Sequence, residues 1–339
     1  MIGLALSGGG SRAIAFHLGC LRALSDLGVL DDVGVLSTIS GGSIIGAYYA
    51  YTPHRTFSEF EEAIRVVLQK GFQRSILREM LAPSNVFRSR THLFSQVLRS
   101  QLFPDLDLAA PRRNNMNIVI GACELRTGTA FRFSNLTSGG WRHGEVLDRE
   151  ADVAFAVTAS AAYPLLLPAL ERTWNFRKKG ESQLRRVLLT DGGVYDNLGV
   201  SVLEPDRDPE FSIHKFPCDH LIVCSAGQGQ EVGTQLPTRF LKRVSRSFDI
   251  IHRRVQDSTM HRLHSHKQNS LIKGFALPYL GQQDSRLPYK PPNLISRTEV
   301  IGYPTNFSAM SREWIDRLSS RGEQLTRLLV PHYLADICR

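Results

Sequence analysis

The chain opens with IGLALS, breaks at GGGSR, and from Ala13 sets Ile14, Leu18, Leu21 and Leu24 along one helical face. Gly28 ends that helix and Val33 to Leu36 form a second short apolar run. The stretch VLSTISGGSIIGAYYA then repeats the pattern: an apolar run, a knot of Ser and Gly, and Ile44, Ile45, Tyr48 and Tyr49 at helical spacing. Strand, helix, strand and helix in immediate succession constrain the fold more than any other feature. Neighbouring parallel strands need a helical crossover, so this alternation predicts an α/β fold with three layers: a mostly parallel central sheet and helices on both faces.

The rest of the chain reads as one domain over residues 1–339, without internal repeats or a linker. Residues 51 to 112 form a helical excursion beside the sheet. Ser58 with Glu61 reads as a capping box there, followed by Phe60, Ile64, Val67 and Leu68 on one face. A Pro-Ser-Asn break at 83–85 precedes a helix near His92 to Leu102. Strands are expected at Met116–Ala122, Thr129–Phe133, Arg186–Thr190 and His220–Ser225. A small-residue helix is expected at Ala151–Ala162, ahead of the proline-bounded turn YPLLLP.

Lys and Arg outnumber Asp and Glu by 41 to 32, a net charge of +9. That excess favours polyanionic partners, and the absence of a basic tail or long single-sign block leaves nucleic acid without specific support. Five scattered cysteines have neither disulfide nor metal-ligand spacing and read as reduced thiols of a cytoplasmic protein. No signal-peptide pattern opens the sequence. The uncharged stretches Val33–His54 and Val153–Leu170 carry polar clusters or prolines at their centres, so they read as buried core rather than membrane spans. No Asp/Glu/His cluster has calcium-loop or zinc spacing, and no cofactor or metal is expected.

Three places could carry chemistry. Ser40, between strand and helix and followed by Gly41 and Gly42, has the setting of a nucleophile elbow; a Gly-rich turn with an incidental serine is the plainer reading. Asp191, after RVLLT and before Gly192 and Gly193, lies at a strand end where open α/β sheets build sites, though an Asp-Gly turn has the same sequence. Gly8, Gly9 and Gly10 offer successive N–H groups at a helix N-terminus, a nest for a phosphate or for the oxyanion of acyl transfer. Arg12 either adds charge there or ties the loop down through a salt bridge.

Two rival chemistries use the same residues. Gly8-x-Gly10-x-x-Ala13 with Asp31 and Asp32 echoes a dinucleotide fingerprint, but the acids precede the second strand instead of ending it. A Ser-His-Asp esterase could draw on histidines 214, 220, 252, 261, 264, 266 and 332, all after Asp191. That sheet usually builds several strands before its nucleophile, and here one strand and one helix precede Ser40's own strand.

Taken in order, SGGGSR, SGGS, ASAAYPLLLP and DGGVYDNLG resemble the patatin-like phospholipase family. The resemblance covers roughly the first two hundred residues. It implies a Ser-Asp dyad without histidine: Ser40 as nucleophile, Asp191 as base, the Gly8–Gly10 amides as oxyanion hole, and Gly41, Gly42, Gly192 and Gly193 in support. Thr38 stands where the family's first elbow glycine belongs, and Ala13 where its glycine loop usually continues. Neither removes a reacting group, and Thr38 suits the turn if it keeps extended angles.

The expected function is a metal-independent lipid acyl hydrolase forming an acyl-serine intermediate on phospholipids or related lipids. A non-catalytic lipid-binding module of the same fold is the alternative. Residues 238–267 form a basic helical region. Phe240, Val244, Phe248, Ile251 and Val255 make an apolar stripe among Arg239, Lys242, Arg243, Arg246, Arg253 and Arg254, with Asp249 and Asp257 as acids. Either the stripe packs on the sheet and the charges are merely solvated, or the helix orients the enzyme peripherally on an anionic membrane.

Overall fold

A computed structural model describes residues 1–85, 87–148, 151–229 and 238–338, apart from the side chains at 241, 245, 248 and 249. Among the described residues, ten strands form one sheet: β1 (Ile2–Leu6), β2 (Val33–Ile39), β3 (Asn117–Glu124), β4 (Thr129–Ser134), β5 (Gly139–Gly140), β6 (Gly144–Val146), β7 (Leu170–Lys178), β8 (Glu181–Asp191), β9 (His220–Cys224) and β10 (Gly274–Ala276). Their order is β10-β9-β1-β2-β3-β4-β5-β6-β7-β8. The five strands from β10 to β3 are mutually parallel. Every pairing beyond β3 is antiparallel, and β8 returns to pair with β3. The sheet is thus mixed, with a parallel core.

The helices are α1 (Gly10–Asp26), α2 (Gly41–Tyr51), α3 (Phe57–Lys70), α4 (Gln73–Met80), α5 (Arg90–Gln101), α6 (Val153–Ser160), α7 (Gly193–Asp196), α8 (Phe240–Gln268), α9 (Arg297–Val300) and α10 (Arg312–Tyr333). Strand side chains alternate between two cores, as the period of two requires. Leu4, Leu6, Leu36 and Ile222 pack with α1, α2, α3, α5 and α10 on one face. Ala5, Val35, Leu221 and Val223 pack with Leu198–Leu203 and with Leu263 of α8 on the other. Layers on both faces of the sheet follow from this alternation. The first uncharged stretch, made of β2, the Ser40 turn and α2, is buried almost throughout, with only its last two residues exposed. The second is buried from α6 to Ala162, but its turn YPLLLP is largely exposed, Leu165 to 51%, because it lies on the rim of the cavity beside Ser40 and not in the core. No helix among the described residues is long and apolar enough to cross a membrane.

Several boundaries differ from the sequence reading. The capping box belongs to Thr56 and Glu59, not to Ser58 and Glu61: Thr56 accepts from the Glu59 N–H, while the Glu59 carboxylate takes the Thr56 N–H at 2.8 Å. The register moves by two residues because Phe57, partly buried against the core, already lies inside the helix. Glu61 instead pairs with Arg22 and Arg65. Strand β7 is unanticipated, although Trp174 and Phe176 alternate with exposed neighbours; it forms a hairpin with β8 through Lys179 and Gly180, both at positive φ. Strand β8 starts five residues before Arg186 and includes Asp191 as its last residue.

Candidate active site

β1 leads to neighbours on opposite sides, β2 and β9, so the chain reverses direction around it. Crevices at such a switch point, beyond the carboxyl ends of the strands, are where α/β sheets bind ligands. Here the loop after β1 (Gly8–Gly10), the turn after β2 (Ser40) and the loop after β9 (Ser225–Gly229) line one cavity of about 630 Å³.

Ser40 is the N-cap residue of α2 with φ 52° and ψ −118°, a conformation that non-glycine residues avoid and that turns the hydroxyl away from the strand. Thr38 stays inside β2, paired with Leu6 and Ile120, so an extended Thr replaces the family's glycine without disturbing the turn. Gly41 packs on the backbone of Gly10, where any Cβ would collide, and Gly42 does the same against Leu6 and Ser7. These contacts bring the N-termini of α1 and α2 to one point, with their partial positive charge.

Asp191 reaches Ser40 across 151 positions of sequence: Ser40 Oγ donates to Asp191 Oδ2 at 2.8 Å. Gly193 N–H donates to Asp191 Oδ1 at 2.7 Å. Strand β8 runs antiparallel to β3 but overlaps only its last three residues, Ala122–Glu124, so its end stops at the carboxyl rim of the parallel strands. The open-sheet rule therefore gives the right place for a strand of the opposite direction. Gly192 lies against the Gly121 backbone, leaving no room for a side chain. Asp191 is 4% exposed. Burial pushes its carboxyl up to about 7, against the opposing pull of the hydrogen bonds from Ser40 and Gly193.

The small-residue segment stitches these parts together, a role not assigned from sequence. Ser160 Oγ accepts the Ser40 N–H at 2.9 Å and bonds the Ser43 hydroxyl at 2.8 Å. The carbonyls of Ser160 and Ala162 accept the N–H groups of Gly192 and Asp191. Asn197 is a second unassigned residue: its carbonyl accepts the Gly8 N–H at 3.1 Å, and its amide oxygen sits beside Gly8 and Gly193. The signal for both lay in ASAA and DNLG, whose function is contact between backbones.

That bond corrects the expected oxyanion hole, because Gly8's N–H is already committed. Among the described residues no backbone carbonyl takes the N–H of Gly9 or Gly10. Arg12 ties the loop down through carbonyls: Nε donates to Ala226 and Nη1 to Tyr303, each at 3.0 Å. Asp31 and Asp32 lie in the short turn that precedes β2, away from the strand end that a ribose-binding acid occupies. No histidine stands between Ser40 and Asp191. His214 pairs with the Thr137 carbonyl, His220 with Asp336 and His266 with Asp206. His252 lines the cavity against the Gly193 backbone, and burial lowers its pKa. Among the described residues, no group of three His, Cys, Asp or Glu side chains is placed to hold a metal.

The long helix α8 also lies over this cavity, through Arg246, Ile250, His252, Arg253, Gln256 and Met260. Its C-terminal half is anchored by buried Thr259, Leu263 and His266. The apolar stripe does not pack on the sheet. Phe240, Val244, Ile251 and Val255 are exposed, Phe240 to 69% and Ile251 to 64%. The side chains of Phe248 and Asp249 lie outside those described.

A parallel-core sheet whose switch-point cavity joins a strained serine, a buried aspartate and a glycine loop places the chain among three-layer α/β folds with a site at the carboxyl ends of the strands. The chain belongs to the patatin-like phospholipase family, whose model matches residues 4–203. No curated protein matches the sequence significantly. Among solved structures, human group IVD cytosolic phospholipase A2 is similar over 97% of this chain and 58% of its own, with a TM-score of 0.60 and 14% identity. The same human enzyme in complex with methyl γ-linolenyl fluorophosphonate gives a TM-score of 0.59 at 18% identity, over 97% of this chain and 57% of that one. At this identity the likeness is one of fold. The chain spans little more than half the length of that enzyme.

Proposed function

We propose that the protein is a metal-independent lipid acyl hydrolase working through a Ser40–Asp191 dyad. The observation that carries the reading is the direct 2.8 Å bond from Ser40 Oγ to Asp191, beside a glycine loop with two N–H groups that no described backbone carbonyl takes. A serine hydroxyl needs a base to attack, and a carboxylate with a pKa near 7 is a far better base than an ordinary one. Ser40 Oγ attacks the acyl carbonyl carbon as its proton passes to Asp191. The carbonyl oxygen becomes the oxyanion, facing Gly9 and Gly10. Collapse breaks the ester bond, and the lipid alcohol leaves with the proton from Asp191, giving acyl-Ser40. Water, deprotonated by Asp191, attacks the acyl-enzyme and releases the fatty acid, returning the proton to Ser40.

Helix α8 supports a peripheral site of work on an anionic bilayer. Its stripe points outward with Arg243 and Arg254 close beside it, an apolar face with basic flanks. Each basic residue near such a surface contributes about 1 kcal/mol of attraction. The five free cysteines fit a reducing compartment.

The deciding experiment is labelling by a fluorophosphonate, with mass-spectrometric mapping and Ser40→Ala as comparison. A phosphonylated Ser40 with loss of ester hydrolysis in Ser40→Ala supports the dyad. An unlabelled protein is a lipid-binding module instead, and a histidine substitution as lethal as Asp191→Asn replaces the dyad with a Ser-His-Asp triad.

A further inference from the structure

The two sides of α8 face different things. Residues 246, 250, 253, 257 and 260 recur at steps of four and three, one face of a helix, and all five line the cavity that holds Ser40. At about 100° per residue, Phe240, Val244, Ile251 and Val255 fall on a different face, and they are exposed. Two of the helix's arginines, Arg246 and Arg253, therefore line the cavity at its open side, where both keep contact with solvent.

From this placement we infer that Arg246 and Arg253 form a head-group subsite selecting lipids of net negative charge over zwitterionic ones. The inference rests on the acyl-hydrolase reading for what happens next to the bound lipid, but the subsite itself is a matter of binding. Among the described side chains, no carboxylate lies within ion-pair distance of Arg246. Arg253 has Asp257 at 3.7 Å from its Nε, a long contact between side chains 40% and 65% exposed, so its terminal nitrogens are not saturated by it. Counting Asp257 against the two arginines leaves this face of the helix net positive. Tyr279 lies close enough to Arg253 to feel its charge, and lines the same cavity. Arg12, the other guanidinium on the wall, spends two of its nitrogens on the carbonyls of Ala226 and Tyr303. Recognition of a further anion falls to α8.

The chemistry fits the cavity's size and position. In a glycerophospholipid the phosphate is only a few bonds from the acyl esters, so an ester held at Ser40 keeps its head group inside the same cavity. A guanidinium fork matches phosphate oxygens, and two of them favour an anion that carries no compensating ammonium. A zwitterionic choline head group brings its own cation toward Arg246 and Arg253, and loses most of that gain.

The test uses the full chain with Ser40→Ala, so that ligand survives, and short-chain lipids kept below their critical micelle concentration, so that no surface takes part. Calorimetric titration compares dihexanoyl-phosphatidylglycerol with dihexanoyl-phosphatidylcholine. The expected preference for the glycerol lipid is about tenfold or more, the range for charge-assisted bonds. Adding Arg246→Gln and Arg253→Gln together abolishes the preference, whereas Arg246→Lys with Arg253→Lys retains much of it, with circular dichroism confirming the fold of each. Equal affinity for the two lipids, or a preference that survives the Gln pair, overturns the subsite. Inorganic phosphate binding as tightly as the glycerol lipid also overturns it, assigning the arginines to a free anion. If Ser40-intact protein hydrolyses neither lipid while the binding preference and its loss are observed, the subsite stands and the hydrolase reading fails.

Discussion

Replacing Asp191 by Asn should inactivate the protein and at the same time stabilise it, by an amount that depends on pH. The carboxyl is buried with a pKa of about 7 against an ordinary 3.8. In the window between those values the folded state holds a proton that the unfolded state releases, so wild-type stability declines as pH rises from about 4 to about 7. A shift of roughly three units, at about 1.4 kcal/mol each, sets the full loss at roughly 4 kcal/mol above pH 7. The asparagine side chain stands in for the protonated acid. Its amide oxygen can still accept from Gly193 N–H, while its NH2 group meets Ser40 Oγ, which reverses from donor to acceptor. Some geometry is lost in that reversal, at about 1 kcal/mol for one neutral hydrogen bond. The variant should therefore exceed wild type by about 3 kcal/mol at pH 8.5 and fall about 1 kcal/mol below it at pH 3, with the crossing between. Urea denaturation of both proteins across this range measures the difference, in which every other titrating group cancels. A gap that stays constant with pH, or a variant less stable than wild type at pH 8.5, would refute a buried base of raised pKa.

The same carboxyl sets the pH dependence of catalysis: kcat/KM on a neutral ester should fall as pH drops through about 7, because protonated Asp191 cannot accept the Ser40 proton. A limb near pH 4 contradicts the reading. Gly10→Ala places a Cβ 2.5 Å from the Asn306 carbonyl at φ 59°, so activity should collapse and stability fall; Gly128→Ala, at φ 65° with open space, should cost about 1 kcal/mol and leave activity intact. Thr56→Ala should cost about 1 kcal/mol in thermal unfolding and Ser58→Ala almost nothing, since Thr56 is the cap. Treatment with EDTA should leave ester hydrolysis unchanged, and activity restored by added calcium would contradict a metal-free dyad.

Local chemistry was legible in the sequence because its determinants are neighbours. Gly8–Gly10, Ser40 with its two glycines, and the α1 and α2 patterns each write one turn or one helix face within a dozen residues, and the structure keeps all of them. The order SGGGSR, SGGS, DGG carried the family resemblance, and that resemblance implied which serine and aspartate meet. What tertiary structure alone decided lies between distant segments. The 151-position closure of Ser40 on Asp191 depends on β8 arriving antiparallel and overlapping β3 at just three residues. That Gly8's N–H is already taken depends on a carbonyl from Asn197. The stripe on α8 announced an amphipathic helix, but periodicity says only that two faces differ. Which face is covered depends on where the anchored end of the helix docks, and here Leu263 and its neighbours fix it with Arg246 and Arg253 on the cavity's wall and the apolar stripe in the open.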